Sequence, residues 1–196
     1  MTSRGQWAHD RVDWVLQRLE AEGKAMIRRR DPSIGVDHRG KPFFRAGGFP
    51  DYVGALPSGR MVVFDLKSCV KKRWRLAAGT EDNDRRAARQ EDFLVKAGSE
   101  YRCLAGFLFV FQNDKNQILG IWIPWQNLDK LAGRSWTPDE LLKETGGAVA
   151  IVWPIDGSRD PDILGAALAL EAAMEGARVR SQENAPAENA PPAGAN

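Results

Sequence analysis

Asp51, Asp65 and Lys67 are the residues whose types and spacing could do chemistry together. Pro57-Ser58-Gly59 favours a tight reversal between two strand-like runs, Asp51 to Leu56 and Met61 to Lys67. Ser58 lies seven residues after Asp51 and seven before Asp65, so a hairpin symmetric about it sets the two aspartates opposite each other on one face. Alternation along the strand adds Lys67 to that face. Opposed like charges destabilise a sheet, and a divalent cation would reverse that penalty. Magnesium suits such a site, with manganese as the alternative: it takes one or two carboxylates and keeps positions for water and a phosphate oxygen. Bound there, it would polarise a phosphodiester and acidify a water, while Lys67 orients that water and offsets developing charge.

The elements that must position these groups can be read from periodicity. Ala8, Val12, Val15, Leu16 and Leu19 recur at helical spacing from Trp7 to Leu19, and Gly23 stands where the helix would stop. Lys24 to Arg28 reads as a short strand entering the basic stretch Arg28-Arg29-Arg30. The Gly- and Pro-rich segment after it predicts a long connection or protruding hairpin. Asp84 to Lys96 reads as a helix, Gly106 to Phe111 as a buried central strand, and Ile118 to Ile123 as its antiparallel neighbour. Thr137-Pro138-Asp139-Glu140 opens a short helix, and Ala148 to Trp153 reads as a last strand. Asp160-Pro161-Asp162 starts an Ala- and Leu-rich helix to about Ala177. Past Ser181 the Ala, Pro, Asn and Glu composition predicts a disordered tail, leaving one domain over 1–180.

Several function classes are excluded or disfavoured. The longest apolar run, Leu104 to Phe111, is far below the roughly 20 residues of a membrane span. Arg4, His9, Asp10, Arg11 and Asp13 crowd the region of a signal-peptide core, so the expected location is the cytoplasm. Cys69 and Cys103 lack metal-site or disulfide-framework spacing and read as ordinary thiols, largely buried. There is no nucleotide-binding glycine motif and no Ser/His/Asp pattern for a nucleophile triad. Net charge is +2, yet 19 of the 28 basic residues and only 11 of the 26 acidic ones fall within residues 1–90. An arginine-rich front half suits a polyanion, although a solvated basic surface has the same composition.

Phe49-Pro50-Asp51-Tyr52-Val53-Gly54, then Gly59-Arg60, then Val63-Phe64-Asp65-Leu66-Lys67-Ser68, is similar to the metal-site hairpin of the RecU-like Holliday junction resolvases, within the PD-(D/E)xK nucleases. Trp74-Arg75-Leu76, the helix carrying Gln90, Ala105 to Val110, Trp122-Ile123-Pro124, Pro138 to Leu141 and the helix from Asp162 follow in that family's order, so the resemblance covers about Arg4 to Glu175. It implies an α/β fold with a mixed central sheet flanked by helices, restriction-endonuclease-like, with residues 31–48 as a stalk. It further implies a homodimer that cuts branched DNA and leaves 5′-phosphate and 3′-hydroxyl ends. Asp51 and Asp65 would then ligate the metal, Lys67 would assist the water, and Gln90 would stand beside the site. The family has a glutamate on helix one where this chain offers His9, with Asp10 and Asp13 as alternatives. Arg39, Lys41 and Arg45, interleaved with Phe43 and Phe44 on the stalk, suit phosphates and unstacked bases. Arg28, Arg29, Arg30, Lys71, Lys72, Arg73 and Arg75 would track the DNA backbone or keep a sheet edge soluble. A nuclease acting on linear duplex or flaps, and a binding protein without catalysis, are the rival readings.

Overall fold

The computed structural model describes residues 6–30, 34–36, 42–44, 50–69, 73–75, 81–112, 118–131, 135–145, 149–153, 162–169, 171–172 and 175. The tail beyond 181 and most of the stalk-like segment lie outside these residues.

Helix α1 spans Gln6–Ala21 and buries Ala8, Val12, Val15, Leu16 and Leu19, the five positions its periodicity picks out. It ends as expected at Gly23, which adopts φ 67°, while the next amide, Lys24 N–H, donates to Leu19 O at 2.8 Å. Strand β1 (Met26–Arg29) follows. Strands β2 (Ile34–Val36) and β3 (Pro42–Phe44) form a separate antiparallel pair with Gly35 opposite Phe43, as expected for a hairpin in this segment.

Strands β4 (Tyr52–Ala55) and β5 (Met61–Cys69) flank the predicted reversal. Gly59 supplies the left-handed residue of that turn at φ 80°, and its N–H donates to Leu56 O at 2.9 Å. The turn is also tied to the C-terminal helical run at 163–169 and its continuation. Ser58 Oγ donates to Glu171 at 2.8 Å, and Arg60 pairs with Glu171 and Glu175.

After the two-residue strand β6 (Trp74–Arg75), helix α2 (Glu81–Ser99) crosses over and returns the chain to β7 (Leu104–Gln112), which lies parallel to β5. A parallel pair needs such a crossover. Strand β7 is buried along almost its whole length, as its uninterrupted apolar run demands. Strand β8 (Ile118–Pro124) pairs antiparallel with β7, and β10 (Val149–Trp153) pairs antiparallel with β8. The main sheet therefore has the order β1-β4-β5-β7-β8-β10.

Between β8 and β10 run a 3-10 helix (Trp125–Leu131), strand β9 (Ser135–Trp136) and helix α3 (Pro138–Thr145). Thr137 caps α3 as its sequence predicts, with Glu140 N–H donating to Thr137 Oγ1 at 3.2 Å and Thr137 N–H donating to Glu140 Oε2 at 2.8 Å. The 3-10 helix and the β6–β9 pair are not expected from periodicity, because elements this short carry too few residues to show one.

The sheet separates two apolar layers. One holds α1 and the helical run at 163–169 over Tyr52, Val62, Phe64, Leu66, Leu108 and Trp122. The other holds α2, the 3-10 helix and α3 over Val63, Phe107, Phe109, Ile121 and Ile123. This is the mixed, helix-flanked α/β architecture expected. Among the described residues no helix is long and apolar enough to cross a membrane. Of the two cysteines, Cys103 is buried and Cys69 partly so.

Strand β4 fits between its neighbours only because position 54 has no side chain: a Cβ there would stand 2.0 Å from Met26 O and 2.4 Å from Ile27 Cα. Both are backbone atoms of β1 and cannot rotate away. Gly54→Ala is expected to cost about 1–3 kcal/mol, the usual range for overpacking. Chemical denaturation checks this; a change within ~0.5 kcal/mol, as for a neutral surface substitution, would mean β1 yields freely.

Candidate active site

Alternation along β5 sends Val62, Phe64 and Leu66 to the α1 layer and Val63, Asp65 and Lys67 to the α2 side. The β4–β5 register pairs Tyr52 with Phe64 and Val53 with Val63. One step further along the same register sets Asp51 against Asp65, the opposition that symmetry about Ser58 predicts. Asp51 is held by both flanking strands: its Oδ2 accepts Leu66 N–H at 3.0 Å, and its carbonyl accepts Arg30 N–H at 2.7 Å.

Asp65 has no solvent exposure. Its Oδ1 accepts a bond from Gln90 Nε2 at 3.1 Å, and Gln90 Oε1 accepts one from Lys67 Nζ at 2.8 Å. Lys67 Nζ closes the ring with an ion pair to Asp65 Oδ2 and lies 5.1 Å from the centre of the Phe107 ring. Helix α2 thus delivers one buried amide whose donor and acceptor ends are both used, which sets its orientation. Asp51, Asp65, Lys67 and Gln90 are brought together.

Burial is the largest influence on the Asp65 carboxyl and pushes its pKa up. The Lys67 ammonium pulls it back down, and the adjacent Asp51 carboxylate raises it again, by charge and by hydrogen bonding. Asp65 Oδ2 is buried away from water, and the Lys67 ammonium is the charge that meets it. A buried, incompletely satisfied carboxylate oxygen beside a second carboxylate is a donor set that fits a hard divalent cation such as Mg²⁺. Among the described residues no three His, Cys, Asp or Glu side chains gather closely enough to hold a metal ion. The two aspartates alone would leave the rest of a coordination shell to water and substrate oxygens.

His9 is held by the Tyr52 hydroxyl. Its Nδ1 lies 3.1 Å from Tyr52 Oη, and that hydroxyl donates to Asp13 Oδ1 at 2.9 Å. Asp13 also pairs with Arg29 at 3.4 Å. Burial lowers the pKa of His9, and the largest opposing influence is the charge of Asp51. Burial and Asp13 together push the Tyr52 phenol well above its ordinary value. Asp10 accepts a bond from Gln6 at the exposed helix surface. Sequence reasoning does not single out Tyr52. It sits on the opposite face from Asp51, and only the docking of α1 reveals its partners.

Three of the arginines expected at DNA face acids. Arg28 makes a forked pair with Glu20, Arg29 pairs with Asp13, and Arg73 pairs with Glu140 at 2.8 Å. Arg30 contributes its backbone N–H to Asp51. Arg39, Lys41, Arg45, Lys71 and Lys72 lie outside the described residues, and Arg75 is described only as backbone in β6.

No protein-family model matches the chain, and no curated protein sequence matches it. Among solved structures, the Holliday junction resolvase Hjc of Archaeoglobus fulgidus matches with a TM-score of 0.37 and 12% identity, over 67% of this chain and 88% of that one. A likeness at this level leaves the functional argument to the side chains.

Because folding raises the Asp65 pKa above its ordinary 3.8, the protonated form is the one that folding favours. The corresponding stability is present at low pH and is lost as pH rises through the raised value. Asp65→Asn, which imitates the protonated carboxyl, is therefore expected to match wild type in chelator below the ordinary 3.8 and to exceed its melting temperature by a margin that widens up to the raised value of about 7 and stays level above it. A gap between the two proteins that stays constant with pH would contradict the assignment.

Proposed function

We propose that the chain is a divalent-cation-dependent DNA endonuclease on a restriction-endonuclease-like PD-(D/E)xK core, acting on four-way junctions as a homodimer. The observation that carries this reading is the buried Asp65 set against the partly buried Asp51 across a hairpin and closed by Lys67 and Gln90. A structural role gives no return for setting two carboxylates together in a desolvated place, whereas phosphodiester hydrolysis does.

Asp51 and Asp65 would hold the cation, which when bound supplies Lewis acidity toward a phosphate oxygen and lowers the pKa of a water. Lys67 is held by Gln90 within reach of the same point, so its ammonium can orient the attacking water and offset charge that builds on the phosphate. Gln90 restrains the ammonium and Asp65 through one planar group. The preference for junctions rests on the resemblance of the hairpin at residues 49–54 and 63–68. A two-fold symmetric dimer suits a pseudo-symmetric substrate that needs paired cuts. Recognition would then read backbone shape more than base sequence.

The deciding experiment follows a labelled four-way junction and a linear duplex of the same sequence, with Mg²⁺ or chelator, using wild type and Asp65→Asn. Symmetric nicks in the junction alone, absent with chelator and in the variant, are expected. Cleavage of both substrates would remove the junction preference, and binding without cleavage would remove the nuclease assignment. Gln90→Ala is expected to lower kcat about 10–100-fold, as loss of a supporting partner commonly does, while junction affinity stays within about twofold. An equal loss in affinity and no loss in kcat would instead make Gln90 a DNA contact.

A further inference from the structure

Tyr52 has one proton to give, and its direction determines the state of His9. The phenol oxygen lies 2.9 Å from Asp13 Oδ1, 3.1 Å from His9 Nδ1 and 3.5 Å from the His9 carbonyl. The carboxylate is the strongest acceptor of the three and the closest, so it takes the proton. Were the proton turned to His9 instead, phenol and carboxylate oxygens would meet lone pair to lone pair at 2.9 Å in a partly buried place. With the phenol proton on the Asp13 side, the Nδ1 contact is a hydrogen bond only if Nδ1 carries its own proton. The neutral ring then keeps its lone pair on Nε2.

The rest of the surroundings holds this arrangement. Arg29 pairs with the second oxygen of Asp13, so the acceptor is anchored. The rings of His9 and Tyr52 lie nearly parallel, 18° apart with centres separated by 5.9 Å, and Tyr52 stacks in turn on Phe64 at 4.6 Å. Tyr52 directly follows Asp51, and Asp51 is the strongest charge acting on the imidazole. A ring fixed on one side by a tyrosine, with a lone pair left on the other, is how proteins orient a histidine toward a cation or its waters.

We propose that Asp13 and Tyr52 are positioning residues that set His9 as the Nδ1–H tautomer, so that Nε2 accepts a hydrogen bond from a water of the cation held by Asp51 and Asp65. This rests on the nuclease reading for the cation and on hydrogen-bond geometry alone for the tautomer. The helix-one group would then act on the metal's water shell and not as a direct ligand, consistent with the absence of a third acid at the centre among the described residues.

Long-range proton–nitrogen correlation spectra of the imidazole test it without any cleavage assay. The chain has two histidines, so a His38→Gln background leaves His9 as the single signal. Protonated Nδ1 is expected in this background, and the Nε2–H tautomer in Tyr52→Phe. Asp13→Ala frees the phenol proton to turn to Nδ1 and is likewise expected to give the Nε2–H tautomer, which keeps the test alive if either variant fails to fold. Titrated Mg²⁺ is expected to shift the Nε2 resonance, and to bind about tenfold more weakly in Tyr52→Phe. An Nε2–H tautomer before those substitutions would overturn the proposal. So would a titration that moves the Asp65 carboxyl signal and leaves Nε2 in place, although the nuclease reading would survive it. Mg²⁺ moving neither signal would overturn both.

Discussion

Across the β4–β5 hairpin, Asp65 faces Asp51 from a position that water does not reach, and the folded chain must tolerate that contact before it can do anything else. An ionised carboxylate so buried costs several kcal/mol unless partners compensate it. The partners come from separate parts of the chain: Lys67 from the same strand, Gln90 from the crossover helix, and the Leu66 amide that draws Asp51 into place. Strand β7 supplies the apolar floor beneath Lys67 through Phe107. The crossover is thus both the connection that a parallel β5–β7 pair requires and the means of bringing an amide onto the aspartate.

The same hairpin divides its labour by face. Residues 63, 65 and 67 look toward α2 and carry the polar centre, while 62, 64 and 66 look toward α1 and are wholly apolar. Tyr52 belongs to the second face, yet its hydroxyl reaches the edge of α1 where His9 and Asp13 stand. A tyrosine can serve both ends because its ring packs in the core while its oxygen finds partners at the rim. Displacing α1 would therefore break the contacts of the Tyr52 hydroxyl with His9 and Asp13.

Much of this was legible from local pattern. The register of the β4–β5 hairpin follows from counting outward from Ser58, because a two-residue repeat and a tight turn leave little freedom. The buried stripe of α1, the cap at Thr137 and the apolar run of β7 from Leu104 to Phe111 obey equally local rules. What stayed hidden depends on distant segments meeting. Nothing near Tyr52 in the chain announces Asp13, which stands 39 positions before it. Nothing near Arg73 announces Glu140, 67 positions after it. Gln90 is a special case. A glutamine among the arginines and acids of α2 looks like any solvated residue, and the family resemblance, not its spacing, points to it.

Those hidden pairings change how the basic half of the chain should be understood. Counting charges along the sequence treats Arg28, Arg29 and Arg73 as free for phosphate, whereas each one already faces a carboxylate. The Arg28 and Arg73 side chains are well exposed, and solvent screening leaves exposed pairs of this kind with little net worth. A phosphate with its own forked geometry can displace such a partner at little cost. Arg29 differs, since it is less exposed and anchors the acid that holds Tyr52. Drawing Arg29 onto a DNA backbone would loosen the Asp13–Tyr52–His9 chain, so in the nuclease reading its better use is to stay with Asp13. Arg28 and Arg73 can then exchange carboxylate for phosphate without disturbing the centre.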